Sequence, residues 1–145
     1  MKIPQYVTVE EVKRICGELG ISDWTAMEEA KVSQKEAGII LNEVNTSGMN
    51  IDIEDFCMGL EVELEHGTRF SDANVTNNHP ILTGKIVLAH LKESLDYYKR
   101  LEVAELEGDL LQALSAGNSV KVESKLRKLV KARLLLSESE AKQLK

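Results

Sequence analysis

Long hydrophobic runs are missing from this chain of 145 residues. A membrane-spanning helix needs about 18 or more consecutive apolar residues, and no stretch supplies them. No basic-then-apolar opening resembles a secretory leader, so the expected location is the reducing cytoplasm. Cysteine is scarce. Cys16 and Cys57 stand far apart without CxxC spacing, which argues for two buried thiols over a disulfide or a zinc site. Two prolines and 4% aromatic residues fit a helical protein better than a sandwich of short strands. A basic excess is also absent: the formal net charge is −6, and general nucleic-acid binding is not expected. There is no P-loop and no dinucleotide-binding glycine pattern, and "GNSVK" lacks the spacing of a phosphate cradle. No serine or cysteine sits in a recognisable nucleophile motif.

What is present is helical periodicity. Thr8 and Glu11 open the first segment at capping-box spacing; Val9, Val12, Ile15, Cys16 and Leu19 follow, and Gly20 stops it. Residues 23–44 read as a second, less regular helix, capped by Ser22 or Asp23 and interrupted near Gly38. "NTSGMN" is a turn. A third helix starts near Asp52, carries Ile53, Phe56, Cys57, Leu60 and Leu64 on one stripe, and is expected to end at Gly67. The polar loop "TRFSDANVTNNH" follows, long enough to suggest function. Pro80, preceded by Asn78 or His79, opens a helix over 80–93. Two long helices reach Gly117 and about residue 136. In the last, Val122, Leu126, Leu129 and Leu136 are expected to face inward, with Lys121, Lys125 and Lys128 in solvent. Ser137 and Glu140 mark a short terminal turn of helix. No segment alternates as a strand. The expected fold is all-α: a bundle of about five or six helices in a single domain, residues 1–145.

Charge is uneven along the chain. Residues 118–145 hold eight Lys/Arg against three Asp/Glu, a local +5, and the first 117 hold ten against twenty-one, a local −11. The basic end either docks on the acidic body or meets a partner.

Two segments combine helical pattern with paired metal-ligand chemistry. "GLEVELEHG" places Glu63 three residues before His66, and "GKIVLAHLKES" places His90 three before Glu93. Residues three apart on a helix share a face. The mirrored order lets two antiparallel helices set His against His and Glu against Glu. Two imidazoles and two carboxylates suit Zn, Fe or Mn as a divalent ion. Di-metal bundles repeat Glu-x-x-His on two helices; here one pair is reversed, and nothing marks Glu102 or Glu105 as a completing ligand. The alternative is a buried polar network, because ionisable groups in an apolar setting need partners.

These same stretches, "FCMGLEVELEHG", "NVTN", "LTGKIVLAHLKES" and "DYYKRL", together with "TVEEVKRICGELGI", resemble a family of small bacterial and phage proteins catalogued only as a domain of unknown function. The resemblance covers residues 8–21 and 56–101 and implies no activity. It marks Glu61, Glu63, His66, Asn74, Thr76, His90, Glu93, Asp96, Tyr97 and Tyr98 as part of the family pattern. On that reading residues 8–107 are the family-like part, with an insertion at 22–50, and 108–145 are a C-terminal helical extension. The acidic pair usual before the proline in that family is Asn78 and His79 here; if that pair binds something, this chain either lacks that binding or uses His79 as the replacement ligand.

Two functions from different classes follow. One is a helical protein with a divalent-metal site at Glu63, His66, His90 and Glu93. The other is a non-catalytic interaction or assembly protein. In it those residues form a network, and the C-terminal helices meet a protein partner or a second copy. Neither names a reaction, so the enzyme question stays open.

Overall fold

The computed structural model describes residues 6–144. It is all-α, with six α-helices, two short 3₁₀ turns and no strand among the described residues. The chain forms two compact units, Met1–Leu95 and Asp96–Lys145. The first holds α1 (Val9–Leu19), α2 (Gln34–Val44), α3 (Ile53–Arg69) and α4 (Pro80–Glu93). The second holds α5 (Tyr97–Ser115) and α6 (Ser119–Gln143).

In the first unit α2, α3 and α4 pack on one another, and α1 packs on α4. Val12, Trp24, Ala37, Ile40, Phe56, Leu60 and Val87 are all fully buried there. Thr8 caps α1 as expected, accepting from the Glu11 amide at 3.2 Å. The other half of the expected box does not form, because the Glu11 carboxylate turns to Arg14 at 2.8 and 2.6 Å. Gly20 closes the helix with φ of 66°, a left-handed conformation that glycine adopts without steric cost.

Residues 23–44 are not one helix. A 3₁₀ turn at Trp24–Ala26 is followed by non-helical chain, and α2 begins only after Ser33. Ser33 and Glu36 form a full capping box. Glu36 also reaches back to Ser22, accepting from its amide at 2.9 Å and its hydroxyl at 2.6 Å. One carboxylate therefore closes the loop and caps the helix. Val32 is pinned to α3 from both sides: its amide donates to Glu61 at 3.1 Å, and its carbonyl accepts from the Cys57 thiol at 3.2 Å. Residues 22–50 thus belong to the packed core, with Trp24, Val32, Ala37, Ile40 and Val44 buried.

Gly67 does not end α3, which continues to Arg69. A Cβ on Gly67 would stand 2.0 Å from Asn78 Oδ1 and 2.8 Å from Asn74 Cγ, so this glycine lets the following loop lie against the helix. Gly84 serves a similar purpose on α4, where a Cβ would meet Ile40 Cγ2 of α2 at 2.6 Å.

In the second unit α5 and α6 pack as a hairpin. Its buried cluster is small: Leu106, Leu129 and Ala132, with Val103 and Leu110 against them. The expected inward face of α6 is corrected, since Leu126 is 48% exposed and Ala132 takes its place. Lys125 is not left to solvent either, because its Nζ pairs with Asp109. No separate terminal turn exists, and α6 runs unbroken through Ser137 to Gln143. The ends of the hairpin are latched by Asp96, which is 1% exposed. Arg100 donates to both its oxygens at 2.8 Å, and Gln143 donates to Oδ2 at 3.0 Å. That engagement explains why Asp96 makes no side-chain cap at the start of α5.

Candidate functional site

α3 and α4 bring three of the four paired residues together. Asp52 caps α3 by accepting from the Glu54 amide at 2.8 Å. The Phe56–Leu60–Leu64 stripe then buries, which sets Glu63 beside the core at the edge facing α4. Glu63 Oε1 lies 3.2 Å from His90 Nδ1 and its Oε2 lies 3.8 Å from His66 Nδ1. The carboxylate is only 12% exposed, His90 is 29% exposed and His66 is 66% exposed. The arrangement is one carboxylate shared by two imidazoles, in place of His facing His and Glu facing Glu. Glu93 is exposed, and no ion pair or hydrogen bond joins it to the other three among the described residues. Among the described residues no group of three or more His, Cys, Asp or Glu side chains is disposed to hold a metal ion.

A cavity of about 270 Å³ opens beside Glu63. Glu63, His66 and Gly67 of α3 form one wall, Thr83 and Ile86 of α4 another, and Phe70, Asn74, Val75 and Thr76 the rim. The long polar loop therefore supplies one wall of the cavity. Asn77 and Asn78 both take positive φ, 49° and 60°, which asparagine tolerates better than most residues. Asn78 Oδ1 accepts from Asn74 Nδ2 at 3.2 Å, and the Asn78 amide donates to Thr76 Oγ1 at 3.3 Å. Asn77 Nδ2 donates to the Val7 carbonyl and ties the loop to the start of α1.

His79 is not placed as a ligand. Its Nδ1 accepts from the Ile81 and Leu82 amides at 3.2 and 3.4 Å, capping α4 ahead of Pro80. That acceptance requires an unprotonated Nδ1. Burial holds the imidazole below its ordinary value, against the opposing pull of Glu11. The sequence marked Pro80 as the helix start with Asn78 or His79 before it, and left open which of the two side chains supplies the cap.

Other residues that the resemblance singled out make local contacts. Glu61 holds the Val32 segment against α3. Asp96 latches the hairpin. Tyr97 and Tyr98 stack edge to face, with centroids 5.1 Å apart, at the start of α5; Glu102 and Glu105 lie in that second unit. Burial pushes both thiols, Cys16 and Cys57, above the ordinary value, so neither is poised as a thiolate nucleophile.

Comparison with known proteins agrees with the motif reading. The model of a protein family of unknown function, DUF5661, matches residues 12–107. The chain belongs to the DUF5661 family. The span matched to DUF5661 takes in the whole Glu63 cavity, and residues 22–50 fall inside it; all of α6 and the end of α5 lie beyond it. Neither the curated proteins nor the solved structures contain a match to this DUF5661 chain. No helix among its described residues is long and apolar enough to cross a membrane.

Proposed function

We propose that this chain is a non-catalytic assembly protein whose contact surface is the α5–α6 hairpin. The supporting observation is the inversion of burial in that hairpin. Its own cluster buries three residues, while Leu111, Leu114, Val120, Leu126, Val130, Leu134 and Leu135 are all exposed, from 48% upward. Leu126, Val130 and Leu134 are spaced by four and form one stripe on α6, flanked by Arg127 and Lys131. Exposed apolar stripes of this kind mark contact surfaces.

Charge favours a second copy as the occupant. α5 carries two basic and four acidic residues, −2, and α6 seven basic and three acidic, +4. Stripe against stripe would set basic flank on basic flank. α6 of one copy against α5 of another pairs opposite charges over apolar contacts. In this reading the Glu63–His66–His90 cluster fastens α3 to α4. Light scattering over a dilution series tests the proposal. The chain should exceed the mass of one copy, and Val130→Glu should return it to one copy without loss of helicity. A single-copy mass at every concentration would end it.

The divalent-metal reading, with Zn, Fe or Mn at Glu63, His66, His90 and Glu93, draws on the carboxylate that two imidazoles share. Elemental analysis of protein purified without chelator or metal-affinity tag decides it. Stoichiometric metal that His90→Ala abolishes would replace the network reading.

A further inference from the structure

The α5–α6 hairpin has two broad faces, and an ion pair marks each. Arg133 Nη2 donates to Glu107 Oε1 at 2.6 Å on one face, and Lys125 pairs with Asp109 on the other. Glu107 and Asp109 are two residues apart on a helix, so they flank the buried Leu106–Leu110 seam on opposite sides. Helical spacing assigns the exposed residues to these faces. Leu111 and Leu114 stand one and two turns beyond Glu107 on α5, and Val130 and Leu126 stand one and two turns before Arg133 on α6. All four are exposed. Gln112 continues from Asp109 and Lys121 precedes Lys125 by one turn; both are exposed as well. One face is therefore apolar around its ion pair, and the other is polar around its own.

Two hairpins that meet by apolar faces make a four-helix bundle. Two-fold symmetry allows two such meetings. In one, α5 lies on α5 and α6 on α6, with the Gly117 turns at opposite ends. In the other, α5 of each copy lies on α6 of the other, and both turns stand at one end. Charge chooses between them. Glu107 and Arg133 sit level with each other, near the middle of their helices. The first meeting turns glutamate toward glutamate and arginine toward arginine. The second turns each Arg133 toward the other copy's Glu107. The helices as wholes agree, α5 carrying −2 and α6 +4. Gly108 adds a different observation. It lies in mid-helix, outside the positive-φ glycines, and nothing stands within 4 Å of where a Cβ would be. Nothing within one copy requires glycine there, where it costs helix stability. With Ala104 and Leu111 it forms a narrow strip at the edge of the apolar face, bare enough for a second helix to approach closely.

We propose that two copies join as a four-helix bundle about a two-fold axis parallel to the helices, with α5 of each on α6 of the other and both turns at the same end. The proposal rests on assembly through the hairpin and supplies its architecture. Glu107 and Arg133 of the two copies form a ring of four alternating charges at the bundle's centre. Leu126 and Val130 seat against Ala104, Gly108 and Leu111 of the second copy. The ring fixes the register, as a polar group in a bundle core does at some cost in stability.

The test mixes two preparations of the full chain and leaves them to exchange. One is nitrogen-14, carries Ala116→Cys and bears a nitroxide there. The other is nitrogen-15 and unlabelled. Ala116 is exposed beside the turn and lines the polar face. Only amides of the unlabelled copy are observed, so loss of signal reports proximity between copies. Signals of residues 112–122 should be lost and those of 97–101 and 137–143 kept, after correction with wild-type chain treated with the same reagent, which accounts for label on Cys16 or Cys57. Loss at 97–101 and 137–143 with the turn kept would show α5 on α5; it would overturn this architecture and leave assembly standing. Loss at neither end, in a sample whose scattering mass is that of two copies, would overturn it too. A single-copy mass would remove the assembly itself and the proposal with it. Charge exchange tests the ring. Glu107→Arg and Arg133→Glu should each weaken pairing at least tenfold, and an equimolar mixture of the two variants should recover it, because opposite charges then meet only between copies. An ion pair that served its own hairpin alone would not be rescued by mixing, so no recovery would overturn the proposal.

Discussion

Replacing Glu36 by Gln removes one oxygen and one charge from a position where every acceptor is in use. In the wild type Oε1 accepts from the Ser22 amide and hydroxyl at 2.9 and 2.6 Å, and Oε2 from the Ser33 amide and hydroxyl at 3.2 and 2.7 Å. Burial pushes this carboxyl up, but the hydrogen bonds from Ser22 and Ser33 outweigh it and hold the group down at about 2. Against the ordinary glutamate value of 4.5, that lowering corresponds to about 3 kcal/mol at ~1.4 kcal/mol per pH unit. The side chain is partly exposed, and solvent screening brings the figure to about 2 kcal/mol. In the variant an amide NH₂ must face one pair of donors and leaves a backbone N–H without its acceptor, a loss of similar size. Trp24 is the single tryptophan and is fully buried in the first unit, so its fluorescence during urea unfolding reports on this unit. Near neutral pH, Glu36→Gln should lower stability by about 2 kcal/mol. The folded-state carboxyl is the stronger acid, so the wild type's advantage is complete above the unfolded value and is lost as pH falls from there toward about 2. An unchanged urea midpoint, or a gap between the two proteins that does not narrow on acidification, would refute the reasoning.

Three more perturbations follow from the packing and the caps. Gly84→Ala should cost about 1–3 kcal/mol by the same urea assay, because the added methyl meets Ile40 across the α2–α4 contact; a wild-type midpoint would show that the helices separate freely there. His79 is held low by burial, so the unfolded chain takes up the proton first. Its contribution to stability should therefore fall as pH drops below the ordinary histidine value of about 6.5. His79→Asn, which keeps a capping side chain, should remove that part of the slope, and an unchanged slope would contradict it. Asp96→Ala removes the buried acceptor of Arg100 and Gln143. Amide hydrogen exchange at the C-terminal end of α6 should quicken by at least tenfold, consistent with a latch worth about 2 kcal/mol or more; unchanged protection would mean that the latch holds nothing.

Much of the fold was legible because apolar spacing carries it. The stripes of α1 and α3 stand where the residues place them, α4 runs from Pro80 to Glu93 as expected, and the family resemblance falls within the matched span. What failed shares one cause: a local signal overruled by a tertiary partner. Ala30 and Val32 continue an apolar pattern that reads as helix, yet Val32 is held outside any helix, bonded to Cys57 and Glu61, residues far along the sequence. Gly67 reads as a helix stop, yet it is kept inside α3 by two asparagines that need its bare Cα. Leu126 reads as core, but a two-helix hairpin has only one inner face, and Leu129 and Ala132 fill it. At the site the helical spacing correctly joined Glu63 to His66. The mirrored motif set His90 in the same neighbourhood, but against His66; that His90 would meet Glu63 instead, and that Glu93 would point elsewhere, could not be told, because spacing within one helix says nothing about register between two.

Assembly through α5 and α6 is tested most directly by crosslinking a mixture of nitrogen-14 and nitrogen-15 copies of the full chain with a zero-length carboxyl–amine reagent. The mixture must be held long enough for copies to exchange. Mass spectrometry then separates crosslinks within one copy from those between copies. The account predicts mixed-isotope pairs joining Lys128 or Lys131 of α6 to carboxylates of α5, and their loss in Val130→Glu. Crosslinks that are all of one isotope, at concentrations where the wild type is studied, would contradict it.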